Sequence, residues 1–344
     1  MLDSIMSNTF EDWRCFVVDD CSTDDTRKIV KDYTKRERRI SLHIRNREPK
    51  GAQTCRNIGF SLASDAKYII WFDADDIITS YCLKQRVEFM DKNSDLDFAV
   101  FPAKTFISNP SEYYPSARIY GIKYGNDSLR DMLKWCLPMV GWTNIYKYSS
   151  LKLQQMKWDE NLLSMQDTDF NISAMLKGMK YEFAYTFGAK VDYFYRAIQN
   201  VQACTSGKIA SEEHHYSHIY LLQKILSSLS EEQKRKYSRE LECYIFRFAN
   251  LLRHNKGAYE RLLNIPWVKE KIHLSYSLRV YRAFQKYYPF IWCKTQICTL
   301  FMLNHLQRDY DNYQADWIEF MSVHNKLLNI QITKESCTNQ NRHA

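Results

Sequence analysis

The sequence predicts an α/β fold, in which a mostly parallel sheet has helices on both faces and is followed by a helical C-terminal region. Three observations predict it: short apolar runs alternate with stretches of helical length over the first 100 residues, two of these runs end in clustered carboxylates, and long helical patterns begin near residue 211. Buried strands that alternate with such helices are typical of βαβ units. We place a domain boundary near residue 205, which gives units of 1–205 and 206–344.

Each element of the first 100 residues follows from its own pattern. Apolar, β-prone runs predict strands, and polar stretches with one apolar face predict helices. Ser22 and Asp24 offer N-cap side chains for the first of these helices. Because ligands of open α/β sheets bind beyond the carboxyl ends of the strands, the functional residues are expected there. The predicted strands are 14–18, 40–44, 68–72 and 96–101, and the predicted helices are 26–38, 52–63 and 81–92.

Composition excludes several classes of protein. The 344 residues include only 9 Gly and 7 Pro, which excludes collagen-like and Pro-rich disordered chains, and no run of about 20 apolar residues is present to span a bilayer. The 10 Cys are scattered and form no C-x-x-C pair, which indicates a reducing, cytoplasmic setting. A net charge of +8 fits anionic partners such as nucleotides or membrane surfaces.

The acidic cluster at 73–76 follows a predicted buried strand. Close carboxylates raise one another's pKa, so a divalent cation such as Mg²⁺ or Mn²⁺ is the usual way to keep several ionised. Asp73, Asp75 and Asp76 are therefore candidate metal ligands. The spacing alone is somewhat more typical of a solvated loop that caps the next helix.

A second strand end carries Asp19 and Asp20, whose carboxylates could accept hydrogen bonds from a base or a ribose. With the acidic cluster, this stretch resembles the inverting glycosyltransferases of family two, which have the GT-A fold. Four motifs of that family occur in order between residues 17 and 170: an Asp-Asp-Gly-Ser-Thr-Asp strand end at 17–24 with Cys21 in place of Gly, a Gly-x-x-x-Ala-Arg-Asn-x-Gly pattern at 51–59, a Leu-Asp-Ala-Asp-Asp signature at 72–76 with Phe72 in place of Leu, and a Glu-Asp-x-x-Phe-like motif at 166–170.

The resemblance implies roles for individual residues. Asp19 and Asp20 would bind the donor, with Asp20 reading a uracil ring, and Arg56 would lie near the base or the diphosphate. Asp73 and Asp75 would contact nucleotide and metal, with Asp76 assisting or only capping a helix. Asp167 would be the general base that deprotonates the acceptor hydroxyl.

The implied activity is transfer of a sugar, with inversion, from a nucleotide-sugar (a UDP-sugar above all) to a saccharide or lipid-linked saccharide in surface polysaccharide synthesis. Mn²⁺ or Mg²⁺ would be the cofactor, and the chain would be cytoplasmic or peripheral at the inner face of the membrane. Nucleotidyl transfer fits less well, because no basic Gly-rich phosphate loop lies near a first strand. The alternative from another class is a catalytically impaired, truncated homologue that acts as a binding or assembly subunit.

Two departures from the family pattern motivate that alternative. Gln166 replaces the usual Glu, which should lower the pKa of Asp167 and make it a weaker base. The chain also starts inside the helix that follows the family's first strand. Either about 25–30 residues lie upstream, by the usual lengths of a strand and half a helix, or the copy is truncated.

Two further features have several interpretations. His214 and His218 are four residues apart and could share a helix face as metal ligands, but we favour an exposed polar helix start. The stretch 271–308 is basic and aromatic and lacks Asp and Glu. We favour a pair of amphipathic core helices there, with contact to an anionic membrane second and nucleic acid excluded for want of a binding module.

Overall fold

A computed structural model of the chain describes residues 1–110, 118–197, 211–252, 255–273 and 311–328. The predicted boundary near residue 205 and most of the stretch 271–308 lie outside the described residues. No described helix has both the length and the apolar character that a bilayer span requires.

Helices and short strands alternate through the N-terminal part, and the described residues after 197 contain helices alone, as the sequence predicts. The helices are α1 (Leu2–Met6), α2 (Thr26–Arg36), α3 (Ala52–Leu62), α4 (Cys82–Lys92), α5 (Ser128–Leu133), α6 (Tyr148–Leu153), α7 (Gln166–Leu176), α8 (Glu212–Ser228), α9 (Glu231–Lys236), α10 (Ser238–Leu252), α11 (Lys256–Leu263), α12 (Pro266–His273) and α13 (311–328). The strands are β1 (Cys15–Asp19), β2 (Ile40–Ile44), β3 (Tyr68–Ile69), β4 (Ile77–Ile78), β5 (Phe98–Val100), β6 (Ala103–Phe106), β7 (Ile119–Tyr120), β8 (Asn144–Lys147), β9 (Tyr181–Phe183) and β10 (Tyr193–Arg196).

The sheet is more mixed than the sequence indicates. Among the described strands, β1 pairs with β2, β6 with β10 and β5 with β9 in parallel, whereas the other four pairs are antiparallel. The strands form three groups, in the orders β1-β2, β3-β8-β5-β9 and β4-β10-β6-β7. Three of the antiparallel pairs involve β8 or β10, which lie late in the chain and insert between earlier strands; the fourth joins β6 to β7, the next strand along the chain.

The main hydrophobic core lies between the β3-β8-β5-β9 group and helices of both halves of the chain. Phe98 and Tyr146 supply the sheet side, Phe170 comes from α7, and Leu222 and Phe248 come from α8 and α10. All five are at most 1% exposed. Burial of this apolar surface fixes α7 and α8 against each other, and this contact positions the start of α7 in the site.

Candidate active site

Three segments of the chain meet around the side chain of Arg56, on α3. Its Nη2 donates to Asp73 Oδ1 at 2.8 Å, and its Nη1 donates to Gln166 Oε1 at 3.0 Å. Its guanidinium carbon lies 4.5 Å from the ring centroid of Trp158. The acidic loop after β3 and the first turn of α7 are therefore brought to two sides of one cation.

The loop between β3 and β4 gives its carboxylates different surroundings. Asp75 is exposed, and its main-chain carbonyl accepts a hydrogen bond from Arg196 Nε at 2.8 Å. Asp76 is fully buried. Its Oδ2 accepts a hydrogen bond from the Tyr193 hydroxyl, and its Oδ1 accepts one from the main-chain N–H of Arg196 at 2.7 Å. Burial raises the pKa of Asp76 to about 7, against the effect of these hydrogen bonds.

The carboxylates of this loop suit a metal ion that takes its other ligands from phosphate and water. Within the described ranges, no group of three or more His, Cys, Asp or Glu side chains could hold a metal ion by itself. Mg²⁺ in nucleotide sites needs only one or two carboxylates, because phosphate oxygens and water supply its other ligands. Asp73 and Asp75 fit that requirement. Both oxygens of Asp76 already accept hydrogen bonds, which hold the loop, and its role as a metal ligand stays a prediction.

Asp167 lies in the first turn of α7, and the main-chain N–H of Gly141 donates to its Oδ1 at 2.7 Å. Burial raises the pKa of Asp167 above its ordinary value; nearby Arg56 lowers it, and Asp73 raises it further. A carboxylate with a raised pKa is a stronger base. A raised pKa is what the general-base role implied by the family resemblance would require, and that role stays a prediction.

The short turn at Gly141–Thr143 supports Asp167 and was not singled out from the sequence. A Cβ on Gly141 would lie 2.6 Å from Asp167 Oδ1 and 2.6 Å from Trp158 Cη2, so only glycine fits. Arg86 Nη1 donates to the carbonyl of Trp142 at 3.0 Å, and the Trp142 ring stacks on Tyr193 at 4.5 Å between centroids. A main-chain donor leaves no side-chain signature, and the glycine itself is the only signal.

At the end of β1, Asp19 and Asp20 both have protein partners. Asp19 is 4% exposed, accepts a hydrogen bond from the Ser22 main-chain N–H and pairs with Arg27 Nε at 2.7 Å. Burial opposes the charge of Asp19, but these partners hold its pKa below the ordinary value. Asp20 pairs with Arg45 Nε at 2.5 Å and remains partly exposed. Of the two predicted donor-binding carboxylates, only Asp20 is therefore accessible enough to meet a ligand.

Asn57 fastens α3 to the segment that precedes α7. Its side-chain nitrogen donates to the carbonyl of Trp158 at 2.8 Å and to Glu160 Oε1 at 2.7 Å, while its Oδ1 accepts from the N–H of Trp158 at 3.0 Å. Arg47 forms a two-pronged ion pair with the same Glu160 carboxylate. Arg56 thus contacts the acidic loop, and the neighbouring Asn57 binds the 158–160 segment.

The histidines of α8 are buried, so the predicted exposed helix start is wrong. His214, His215 and His218 are 7%, 6% and 0% exposed. The His218 ring stacks on Phe248, and its Nε2 lies 2.9 Å from the hydroxyl of Ser164, just before α7. The sequence of α8 alone could not predict the burial of these histidines, because α7 and α10 pack over them.

Acid should destabilise the fold through His218. Burial lowers its pKa from 6.5 to about 4, so the unfolded chain binds a proton between these values and the folded chain does not. The stabilisation is present above pH 6.5 and is lost as the pH falls to 4, by at most about 3 kcal/mol. Denaturant unfolding of the wild type and of His218→Gln across this range measures it. We expect His218→Gln to lose less stability than the wild type on acidification, and the control His43→Gln, on β2, to lose as much as the wild type. If His218→Gln loses as much stability as the wild type, the assignment is contradicted.

Residues 1–152 match the family described as Glycosyl transferase family 2. A putative teichuronic acid biosynthesis glycosyltransferase of Bacillus subtilis, TuaG, is 34% identical over 141 residues, which cover 40% of this chain and 53% of that protein. The UDP-Glc:alpha-D-GlcNAc-diphosphoundecaprenol beta-1,3-glucosyltransferase WfgD of Escherichia coli is 33% identical over 93 residues, 27% of this chain and 35% of that protein.

The matched stretch thus spans about a third to a half of these two relatives. Among solved structures, S. aureus TarS 1–349 in complex with UDP-GlcNAc superposes with a TM-score of 0.57 at 17% identity, over 91% of this chain and 87% of that one. At this identity the likeness concerns the fold. Residues 1–152 are therefore similar to glycosyl transferase family 2, and the chain has the GT-A fold followed by a helical C-terminal region.

Proposed function

We propose that this chain transfers a sugar from a nucleotide-sugar to a saccharide acceptor with inversion at the anomeric carbon. One observation carries the proposal: Arg56 contacts both Asp73 and Gln166, beside the Asp167 carboxylate. A group that could neutralise a leaving diphosphate and a group that could take a proton thus border the same space.

Asp167 acts as the general base in this mechanism. A sugar hydroxyl is a poor nucleophile, so its proton must pass to a positioned carboxylate as its oxygen attacks the anomeric carbon. The new C–O bond forms on one face of the sugar while the bond to the diphosphate breaks on the other, and that electron pair leaves with the diphosphate. The hydrogen bond from Gly141 fixes one oxygen of Asp167 and leaves the second for the acceptor.

Asp73, Asp75 and Arg56 serve the leaving group. Asp73 and Asp75 would hold Mn²⁺ or Mg²⁺, which neutralises charge on the departing diphosphate when it is bound. Arg56 supplies a fixed positive charge beside the same loop. Asp76, through Tyr193 and Arg196, keeps the loop in its shape.

A UDP-linked donor and a surface-polymer acceptor are the substrate classes that we propose. The structural neighbour TarS binds UDP-GlcNAc, and the relatives act in teichuronic acid synthesis and on a diphosphoundecaprenol-linked sugar, according to their names. Asp20 is the carboxylate that remains available for the base. We further propose action in the cytoplasm, at the inner face of the membrane. The scattered cysteines of the sequence, which form no C-x-x-C pair, support a reducing compartment.

Titration of UDP into the purified chain, with and without Mn²⁺, tests the donor site. We expect metal-dependent binding that weakens by about tenfold or more in Asp75→Asn, since one lost ligand of about 1.4 kcal/mol is tenfold in affinity. The control is Asp95→Asn, an exposed carboxylate outside the site, which should bind like the wild type.

The same titration separates the enzyme from a non-catalytic binding subunit. The replacement of the usual Glu by Gln166 is the observation that favours the latter. Metal-dependent UDP binding without turnover of any UDP-sugar would favour the binding subunit. Absence of UDP binding by the folded chain would contradict the proposed donor site.

A further inference from the structure

Lys224 on α8 joins the two sides of the segment that carries the proposed base. Its Nζ lies 2.6 Å from Asp159 Oδ2 and 2.9 Å from Asp169 Oδ2. Asp159 precedes Asp167 by eight residues and Asp169 follows it by two. Burial disfavours the charge of Lys224, but its hydrogen bonds to the two carboxylates outweigh burial and raise its pKa. One ammonium group therefore ties the entry of the segment to the first turn of α7.

Other side chains of α8 contact the same segment. The Tyr220 hydroxyl donates to Asp159 Oδ2 at 3.0 Å, and the Ser217 hydroxyl accepts from the main-chain N–H of Leu163 at 3.0 Å. Residues 217, 220 and 224 are spaced by three and four, so they lie on one face of the helix. His218, next to this face, reaches Ser164.

The segment itself has little regular structure to hold it. Between α6 and α7 it contains turns and bends, and Met165 enters α7 in the left-handed conformation with φ of 60°. Such a backbone persists only where surrounding contacts fix it. Along residues 159–169, α8 supplies contacts at Asp159, Leu163, Ser164 and Asp169.

We infer that α8 of the helical C-terminal region is the element that positions the proposed base, with Lys224 as its principal positioning residue. This inference rests on the proposed function only in the role of Asp167. A displacement of about 1 Å at a reacting group can lower a rate about 100-fold. Loss of Lys224 should therefore reduce kcat without weakening UDP binding, because the donor carboxylates lie on a different loop.

Three variants test the inference. Lys224→Met removes the link and leaves Asp169, whose side chain is 4% exposed, without its cation. Lys224→Met with Asp169→Asn removes the buried charge as well, so its Tm should recover, while the link to α8 stays broken. Lys84→Met, on the exposed face of α4, is the control. The measurements are kcat, the Kd for UDP, Tm, and hydrogen exchange of the amides in 159–170.

The expected result is a kcat about 100-fold lower in both Lys224 variants, a Kd for UDP within about twofold of wild type, and faster exchange over 159–170. The double variant should keep the low kcat although its Tm recovers. If kcat recovers together with Tm, Lys224 has only a structural role and the inference is overturned. Unchanged exchange over 159–170 would overturn it too. A wild type that binds no UDP, with exchange still accelerated in both variants, would refute the proposed function and leave the role of α8 in holding the segment supported.

Discussion

Replacement of Gly141 by alanine should remove most of the transferase activity, by about 100-fold or more in kcat. The added Cβ would stand 2.6 Å from both Asp167 Oδ1 and Trp158 Cη2, which is far inside contact distance. Asp167 must move, because Trp158 is packed in the core and cannot yield easily. The measurement is kcat at saturating donor, with Tm recorded beside it, since overpacking costs about 1–3 kcal/mol.

Gly59→Ala is the matched control for this substitution. Gly59 belongs to the motif at 51–59 and lies on α3, but a Cβ there would meet only Val18 Cγ2 at 3.7 Å, an ordinary contact. We therefore expect near wild-type activity from it. A Gly141→Ala enzyme that folds and retains wild-type kcat would show that the turn at Gly141–Thr143 does not set the position of the base.

Asp167→Asn should reduce kcat by about 10²- to 10⁴-fold, the range that general base catalysis contributes. The Kd for UDP should not rise, because Asp167 is not among the proposed donor contacts and the neutral amide removes a negative charge beside Arg56. The amide is nearly isosteric and its oxygen can still accept the hydrogen bond from Gly141. Steady-state rates and calorimetry on the same preparations measure the two quantities, with Asp95→Asn as the control.

The pH dependence of kcat/KM tests the role of Asp167 independently. Because burial raises the pKa of Asp167, the base form should be lost at a higher pH than for an ordinary aspartate, and kcat/KM should fall on the acid side there. The acid limb should be absent from the residual activity of Asp167→Asn. Retention of both the rate and the acid limb in that variant would exclude Asp167 as the base.

Periodicity predicted the regular elements of the first hundred residues closely. The predicted helices 26–38, 52–63 and 81–92 correspond to α2, α3 and α4, and strand 40–44 corresponds to β2 without adjustment. The strand predicted at 68–72 is shorter in the structure, because only Tyr68 and Ile69 pair with a neighbouring strand, β8. Two of the antiparallel pairs, β3 with β8 and β4 with β10, join residues more than 70 positions apart, which a local pattern does not encode.

The site divides in the same way. Carboxylates at strand ends are visible in sequence, and Arg56, Asp73 and the start of α7 do converge. The contacts that the sequence did not predict involve main-chain atoms or residues far apart in the chain. Gly141 donates its main-chain N–H to Asp167, and Tyr193 donates to Asp76, which lies 117 residues earlier. Such contacts depend on the packing of β10 and of the turn at 141–143, so composition and spacing do not reveal them.

The shared guanidinium of Arg56 couples two equilibria. Its charge lowers the pKa of Asp167 and at the same time pairs with Asp73. An anion that accepts the hydrogen bonds of Arg56 would neutralise that charge and so raise the proton affinity of Asp167. Thermodynamic reciprocity then requires the converse: such an anion binds more tightly when Asp167 carries a proton. If the proposed nucleotide donor is that anion, its binding would increase the basicity that the proposed reaction uses.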